Sequence, residues 1–343
     1  MTAVLEVVMP GLLTTVQDRG RHGYQAFGMP VAGAVDEYAL RIANILVGNP
    51  EGAAALEMTL LGPQLKVLAP TKLALTGADL GAEINGQEFP RWQTVAVATG
   101  DEITFKAATS GCRGYLAVAG GIDVPEVMGS RSTYLRGKIG GLDGRALKVG
   151  DHINANSAAA KKNIQTGAQL APELMPRYEG PITLRVILGP QDDHFTPTGQ
   201  EIFLSSKYQV TTDADRMGCR LEGATIEHAA GADIISDGIP LGAVQVPGHG
   251  LPIIMLADRQ TTGGYPKIAT VASVDLSHIA QAKPGDEISF EAISRSEAIQ
   301  LLKEREAALN EWAKSLPEAS GRIWHFSIGI NGQTFTAQVE EVQ

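Results

Sequence analysis

Between Asp258 and Pro266 the chain sets a carboxylate, a guanidinium, two threonine hydroxyls, a glycine pair and a tyrosine in succession (DRQTTGGYP). The segment follows the apolar run Ile253–Ala257, so it falls at a strand end, where loops commonly build sites. There Asp258 can serve as a general base and Arg259 as an anion clamp. Thr261 and Thr262 can donate hydrogen bonds, and Gly263-Gly264 can turn backbone N–H groups toward a developing oxyanion, with Tyr265 beside them. Arg216 and Arg220, in Asp215–Leu221 (DRMGCRL), join this substrate-binding set. So does Gln245, in the Gly/Pro-rich stretch Ser236–Pro247 that also holds Asp237; its side chain matches both the donor and the acceptor of an amide ligand.

A second set of residues reads as a phosphate or anion site. Thr14–Tyr24 (TTVQDRGRHGY) supplies Arg19 and Arg21, with Asp18 as a further catalytic carboxylate, and Gly129–Thr133 (GSRST) supplies Arg131, Ser132 and Thr133. A guanidinium is a rigid fork of donors matched to carboxylates and phosphates, and adjacent glycines let backbone N–H groups reach the same anion. The same arginines can instead pin loops by pairing with Asp18, Asp36, Asp215 and Asp258. Glu57, in an apolar run, is expected to be paired and structural.

Familiar signatures are missing. The sequence has no GxxxxGK[ST], no GxGxxG between strand and helix, no GxSxG elbow, and no HExxH or paired-His spacing, so no metal site is expected. No lysine sits in a Met-Lys context of the kind that carries biotin. The chain is acidic, with net charge −10 from 38 acidic and 28 basic residues, which argues against nucleic acid and against an anionic membrane. No apolar run approaches the ~20 residues of a membrane span, and the N-terminus lacks the pattern of a signal peptide. Cys112 and Cys219 stand far apart and outside any ligand spacing. Together these predict a soluble cytoplasmic protein with two free thiols.

The elements that must position these groups are mostly short strands. Leu73–Thr76, Val95–Ala98, Ile103–Phe105, Tyr115–Ala119, Leu184–Leu188, Ile253–Leu256 and Ile288–Phe290 are apolar runs bounded by turn residues. Asn85-Gly86 and Asn331-Gly332 mark hairpins. One helix begins at Asp36, with Ala39, Ile42, Ala43, Leu46 and Val47 as its apolar face, and Gly48-Asn49-Pro50 stops it. A second runs from about Ser296 to Leu316 with Ile299, Leu302, Leu309 and Trp312 on one stripe. Gly100–Phe105 (GDEITF) recurs as Gly285–Phe290 (GDEISF), which suggests two related β-domains. Ser157–Gly180, rich in Ala, Lys, Gln and Pro, reads as the linker between them. The expected organisation is an N-terminal domain over 1–165, a linker core at 166–180, a second domain over 181–294, and a helix and hairpin over 295–343.

These segments, in this order, resemble a known family. TTVQDRGRHGYQAFGMPVAGAVDEYALRIANILVGNPEGAAALEMTLLGPQL, TGAD, GGIDVPEVMGSRST, DRMGCRLEG, SDGIPLGAVQVPGHGLPIIMLADRQTTGGYPKIATV and IAQAKPGDEISF are similar to the family described as allophanate hydrolase subunit 2, biotin-dependent carboxyltransferase, Kip-type anti-inhibitor protein and the C subunit of 5-oxoprolinase. The resemblance runs from about residue 5 to 293. It implies a mainly β fold of two cyclophilin-like β-barrel domains with a few helices. It also implies partner proteins, the B-type and A-type components of a 5-oxoprolinase. The implied reaction is ATP-dependent opening of 5-oxo-L-proline to L-glutamate in the assembled complex, with biotin not attached to this chain. The alternatives it carries are a carboxyltransferase acting from carboxybiotin on a urea-like amide, and a non-catalytic regulator that binds a kinase-inhibitor protein. A small amide or lactam carrying a carboxylate suits the arginine and glutamine set above.

Overall fold

A computed structural model describes residues 2–156 and 159–319, and the backbone of 323–330 and 333–340. The first half carries β1 (Thr2–Met9), β2 (Leu13–Gln17), α1 (Glu37–Leu46), β3 (Ala55–Thr59), β4 (Gln64–Val67), β5 (Thr71–Asp79), β6 (Glu83–Ile84), β7 (Gln87–Glu88), β8 (Thr94–Val97), β9 (Glu102–Thr104), β10 (Ser110–Val118) and β11 (His152–Ala155). Two sheets, in the orders β11-β1-β4-β9-β6-β7 and β2-β3-β10-β5-β8, enclose one apolar core that includes Leu5, Leu56, Leu65, Leu75, Ile103 and Leu116.

The second half carries β12 (Ile182–Leu188), α2 (Pro197–Ser205), β13 (Tyr208–Val210), β14 (Gly218–Gly223), β15 (Asp237–Gly238), β16 (Ala243–Gln245), β17 (Ile253–Met255), β18 (Thr262–Gly263), β19 (Lys267–Val271), α3 (Leu276–Gln281) and β20 (Glu287–Ala292). Seven of these strands close a barrel in the order β12-β19-β16-β17-β14-β13-β20, while β15 and β18 pair as a separate ribbon. After the barrel come α4 (Arg295–Ser315) and the antiparallel pair β21 (Ile323–Ile330) and β22 (Gln333–Glu340). The fold is mainly β, with four helices among the described residues, as expected.

Local chemistry explains the element ends. Asp36 caps α1 by accepting from Ala39 N at 3.0 Å. Ser294 and Glu297 form a reciprocal capping box on α4. Asn85 and Gly86 both take positive φ, 53° and 77°, as a two-residue hairpin turn requires. The other Asn-Gly pair, Asn331-Gly332, lies outside the described residues.

Two expectations change. The segment 159–180, read as a linker, packs on the first domain: Ile164, Ala168 and Leu170 are buried in one core with α1, and Tyr178 donates to Asp36. On α4 the buried stripe is Leu309 and Trp312, whereas Ile299 is exposed, because the first turns of the helix run clear of the body.

A polar spine crosses the boundary between the domains. Arg216 donates from Nε and Nη2 to both oxygens of Asp258, at 3.1 and 3.0 Å, from Nη1 to Glu57 of the first domain, and from Nη2 to the Gly33 carbonyl. Glu57 Oε2 accepts from Tyr115 Oη at 2.7 Å and from Val35 N at 2.9 Å, and Tyr115 Oη accepts from Asp36 N at 2.8 Å. Asp36 Oδ2 in turn accepts from Gln281 Nε2 of α3 at 2.8 Å, and Gln281 Oε1 accepts from the N–H groups of Cys112 and Arg113. Buried polar groups paired this completely fix how the two domains meet.

Candidate functional site

Alternation along the barrel strands builds the site. Val244, Ile254, Cys219 and Leu221 point into the core, so Gln245, Ile253, Met255, Gly218 and Arg220 face the outer side of the barrel wall. The register aligns Arg220 with Ile253 and Ile253 with Gln245, a row across three strands. Over this row opens a cavity of about 480 Å³, closed by Gln260, Tyr265 and His249 from loops and by Arg136 from the first domain. No carboxylate of the described residues pairs with Arg220. Gln245 is buried and donates from Nε2 to the Tyr265 carbonyl at 3.3 Å. A Cβ on Gly263 would stand 3.1 Å from that same Nε2, so the glycine leaves room for the amide. At the rim Arg136 meets Asp215 at 3.5 Å.

The cavity therefore offers an unpaired guanidinium, a held amide, an imidazole and a phenol around an apolar floor of Ile253 and Met255. Arg220 suits a carboxylate and Gln245 an amide. Of the residues named from the sequence, Arg220, Gln245 and Tyr265 line this one cavity. Gln260, His249 and Arg136 join them; Gln260 sits inside the segment already singled out and His249 is flanked by glycines, but Arg136 has no local signal.

The remaining residues lie elsewhere. Arg216 is committed to Glu57, Asp258 and Gly33, and borders none of the cavities described here. Burial disfavours its charge, but Glu57 and Asp258 outweigh that and hold the guanidinium protonated. Asp258 is buried under the same pair; burial raises its carboxyl and Arg216 only partly offsets this. It is thus a partner of Arg216 rather than a base open to a ligand. Arg259 donates to the carbonyls of Ile239 and Leu256, and borders two other cavities rather than the Arg220 row. Thr261 borders the smaller of those, of about 260 Å³. Thr262 and Gly263 form the ribbon with Asp237-Gly238, and the Gly264 carbonyl accepts from Ile234 N, so these groups serve the backbone pairing of the loop. Lys267, buried, locks the ribbon by donating from Nζ to Asp237 at 2.7 Å and to the Gly238 carbonyl at 3.1 Å.

The second predicted set forms a closed knot instead of an anion cradle. Asp18 accepts from Gly20 N, Ser130 Oγ, Ser132 Oγ and Arg131 N. Arg21, fully buried, donates to the Ser132 carbonyl, and burial lowers its pKa. Thr133 Oγ1 donates to the Val16 carbonyl at 3.0 Å, and Arg131 donates to the Val124 carbonyl and to Glu126. Apart from Arg21 Nη1, which is buried without a partner, these donors are used within the first domain, where they tie the 14–21 strand end to the 130–133 turn. Of the set, Arg19 borders one of the cavities described here, where it pairs with Glu37 at 2.6 Å.

Residues 27–292 match the family model described as "Carboxyltransferase domain, subdomain A and B". The chain belongs to the carboxyltransferase domain family. Within that family it is 39% identical over 312 residues to the C subunit of 5-oxoprolinase from Escherichia coli strain K12, covering 90% of this chain and 98% of the relative. The crystal structure of the Kluyveromyces lactis urea amidolyase superposes with a TM-score of 0.83 at 33% identity, over 90% of this chain and 20% of that one. The Kluyveromyces lactis urea carboxylase superposes with a TM-score of 0.84 at 30% identity, over 99% of this chain and 32% of that one. The chain thus spans a fifth to a third of those two structures and nearly all of the bacterial relative. No helix of the described residues is long and apolar enough to cross a membrane.

Proposed function

We propose that this chain is the carboxyltransferase-family component of an ATP-dependent 5-oxoprolinase, and that its outer-barrel cavity takes the lactam substrate. The match to the C subunit of 5-oxoprolinase, over 90% of this chain and 98% of that one, carries the reading. In this cavity Arg220 would hold the carboxylate of 5-oxo-L-proline, and the Gln245 amide would orient the lactam. ATP would act in the assembled complex, on a site completed by the A-type and B-type partner proteins.

The test is reconstitution. Purified chain should show no appreciable 5-oxoproline-dependent ADP release alone and should gain it with both partners. In the complex, Arg220→Ala should raise KM about 10- to 150-fold, the worth of a charge-assisted hydrogen bond. Full turnover by the isolated chain would refute the shared site. A second reading, carboxyl transfer from carboxybiotin supplied in trans to a urea-like amide, is favoured by the family match and the urea carboxylase superposition. Carboxybiotin-dependent carboxylation of urea, with no 5-oxoproline activity in the presence of both partners, would establish that reading in place of the first.

A further inference from the structure

We infer that the cleft between the two domains, roofed by α4, is a second anion site, for a small molecule that carries carboxylate or phosphate groups on a partly apolar body. The cleft encloses about 570 Å³. Three separate parts of the chain wall it: Arg19 to Val35 and α1 from the first domain, Leu241, Ala257 and Arg259 from the second, and Leu302, Arg305 and Glu306 from α4. Four arginines, Arg19, Arg41, Arg259 and Arg305, face two lining glutamates, Glu37 and Glu306; with Glu51, which pairs with Arg41 from outside the lining, the cluster keeps an excess of one positive charge in a chain of net charge −10.

Internal pairing does not remove that excess. Arg19 is matched by Glu37, and Arg41 by Glu51 and Glu306. Arg259 has carbonyl acceptors but no carboxylate among the described residues. Arg305 reaches the Val274 and Ser273 carbonyls only at 3.2 and 3.4 Å, and lies 3.7 Å from a Glu306 already bound by both Nη atoms of Arg41. Its Nε is buried with no partner. The guanidinium stands over the Tyr38 ring, 5.3 Å from the centroid. Burial lowers Arg259 only to about 10, so it stays charged at neutral pH. Two shielded cations without a full counter-charge are costly, and an anion in the cleft offsets that cost. Val31, Val35, Leu276 and Leu302 supply the apolar wall for the rest of the ligand.

The test reads binding to the isolated full-length chain, so its outcome is separate from whether the complex opens 5-oxoproline. Calorimetry and thermal unfolding would be run with inorganic phosphate and ADP in one arm, and with L-glutamate and 5-oxo-L-proline in the other. The variants are Arg259→Gln, Arg305→Gln and, in the outer-barrel cavity, Arg220→Gln. At least one probe should bind saturably and raise the midpoint, and the arm it belongs to assigns phosphate or carboxylate. Arg259→Gln and Arg305→Gln should each weaken that binding by about tenfold or more; Arg220→Gln should leave binding of phosphate and ADP unchanged, and with 5-oxo-L-proline or L-glutamate should remove only the outer-barrel component, which the cleft variants keep. If Arg259→Gln does not fold, Arg305→Gln alone decides. Absence of saturable binding by all four probes overturns the inference, as does a result in which all the binding seen, with every probe that binds, is lost with Arg220→Gln and kept in the cleft variants.

Discussion

Arg216 is held by two carboxylates from opposite domains, so its removal strands both of them in a buried setting. Arg216→Met should cost about 3–5 kcal/mol of stability, as breaking a buried ion pair from one side does; urea unfolding measures it. Asp275 behaves differently with pH. Burial opposes its charge, but the Arg185 side chain, His278 and the Arg185 backbone N–H outweigh this and hold its carboxyl well below the usual range. A carboxyl with a depressed folded pKa contributes its stability above the unfolded value, about 3.9, and loses it as pH falls toward the folded one. Asp275→Asn should therefore be less stable than the parent at pH 7, and the gap should narrow steadily below about pH 4 in urea titrations. At this scale the sequence names residue types but not their surroundings. Arg220 and Gln245 were picked out by residue type in Gly-bearing segments; that they share a cavity was not legible, because it depends on the pairing of β14, β17 and β16. That arginines of this set could be tied up by carboxylates such as Asp258, and that Glu57 is paired, was legible; which arginine meets which acceptor was not, because the partners of Arg216 and Arg21 come from distant segments, Glu57 and Ser132.

The turn that begins GDEI is a structural unit, not only a repeated string. Gly100 and Gly285 take φ of 96° and 91°. Asp101 Oδ2 accepts from Ala98 N at 2.7 Å, and Asp286 Oδ2 from Lys283 N at 3.0 Å. The flanking backbone pairs match as well: Gly100 with Val67 and Gly285 with Val210. Gly150-Asp151 repeats the pattern against Val7, with Lys148 N donating to Asp151 at 2.7 Å. The third copy was missed in the sequence because His152 breaks the string while the geometry persists. Gly285 has open space at a would-be Cβ, so Gly285→Ala should cost only the left-handed strain, about 1–2 kcal/mol, in the same unfolding assay. Ser294→Ala, which removes the α4 cap, should cost about 1 kcal/mol and speed amide exchange in the first turn of the helix. Strand positions were legible since each apolar run is short and bounded by turn residues. The buried length of α4 was not, because a stripe on a helix says that a face is apolar and not how far the partner extends.

For the whole molecule, the route of the chain matters as much as the interface. It enters the second domain near Ile182, leaves the barrel after Ala292, and then lays α4 back on the first domain. There Leu309 and Trp312 share a core with Leu40, Ile42 and Leu46, and Arg41 grips Glu306 through two hydrogen bonds of 2.8 and 2.6 Å. The two halves are therefore entwined: each covers part of the other, and the covalent connection near Glu179-Gly180, both exposed, is not what keeps them together. The protein should tolerate being split there. Fragments 1–180 and 181–343, expressed as separate polypeptides, should assemble and co-elute as one particle of parental size. Further trimming of the second fragment to end before Arg295 should let the pieces drift apart, which would show that the final helix acts as a clasp between them.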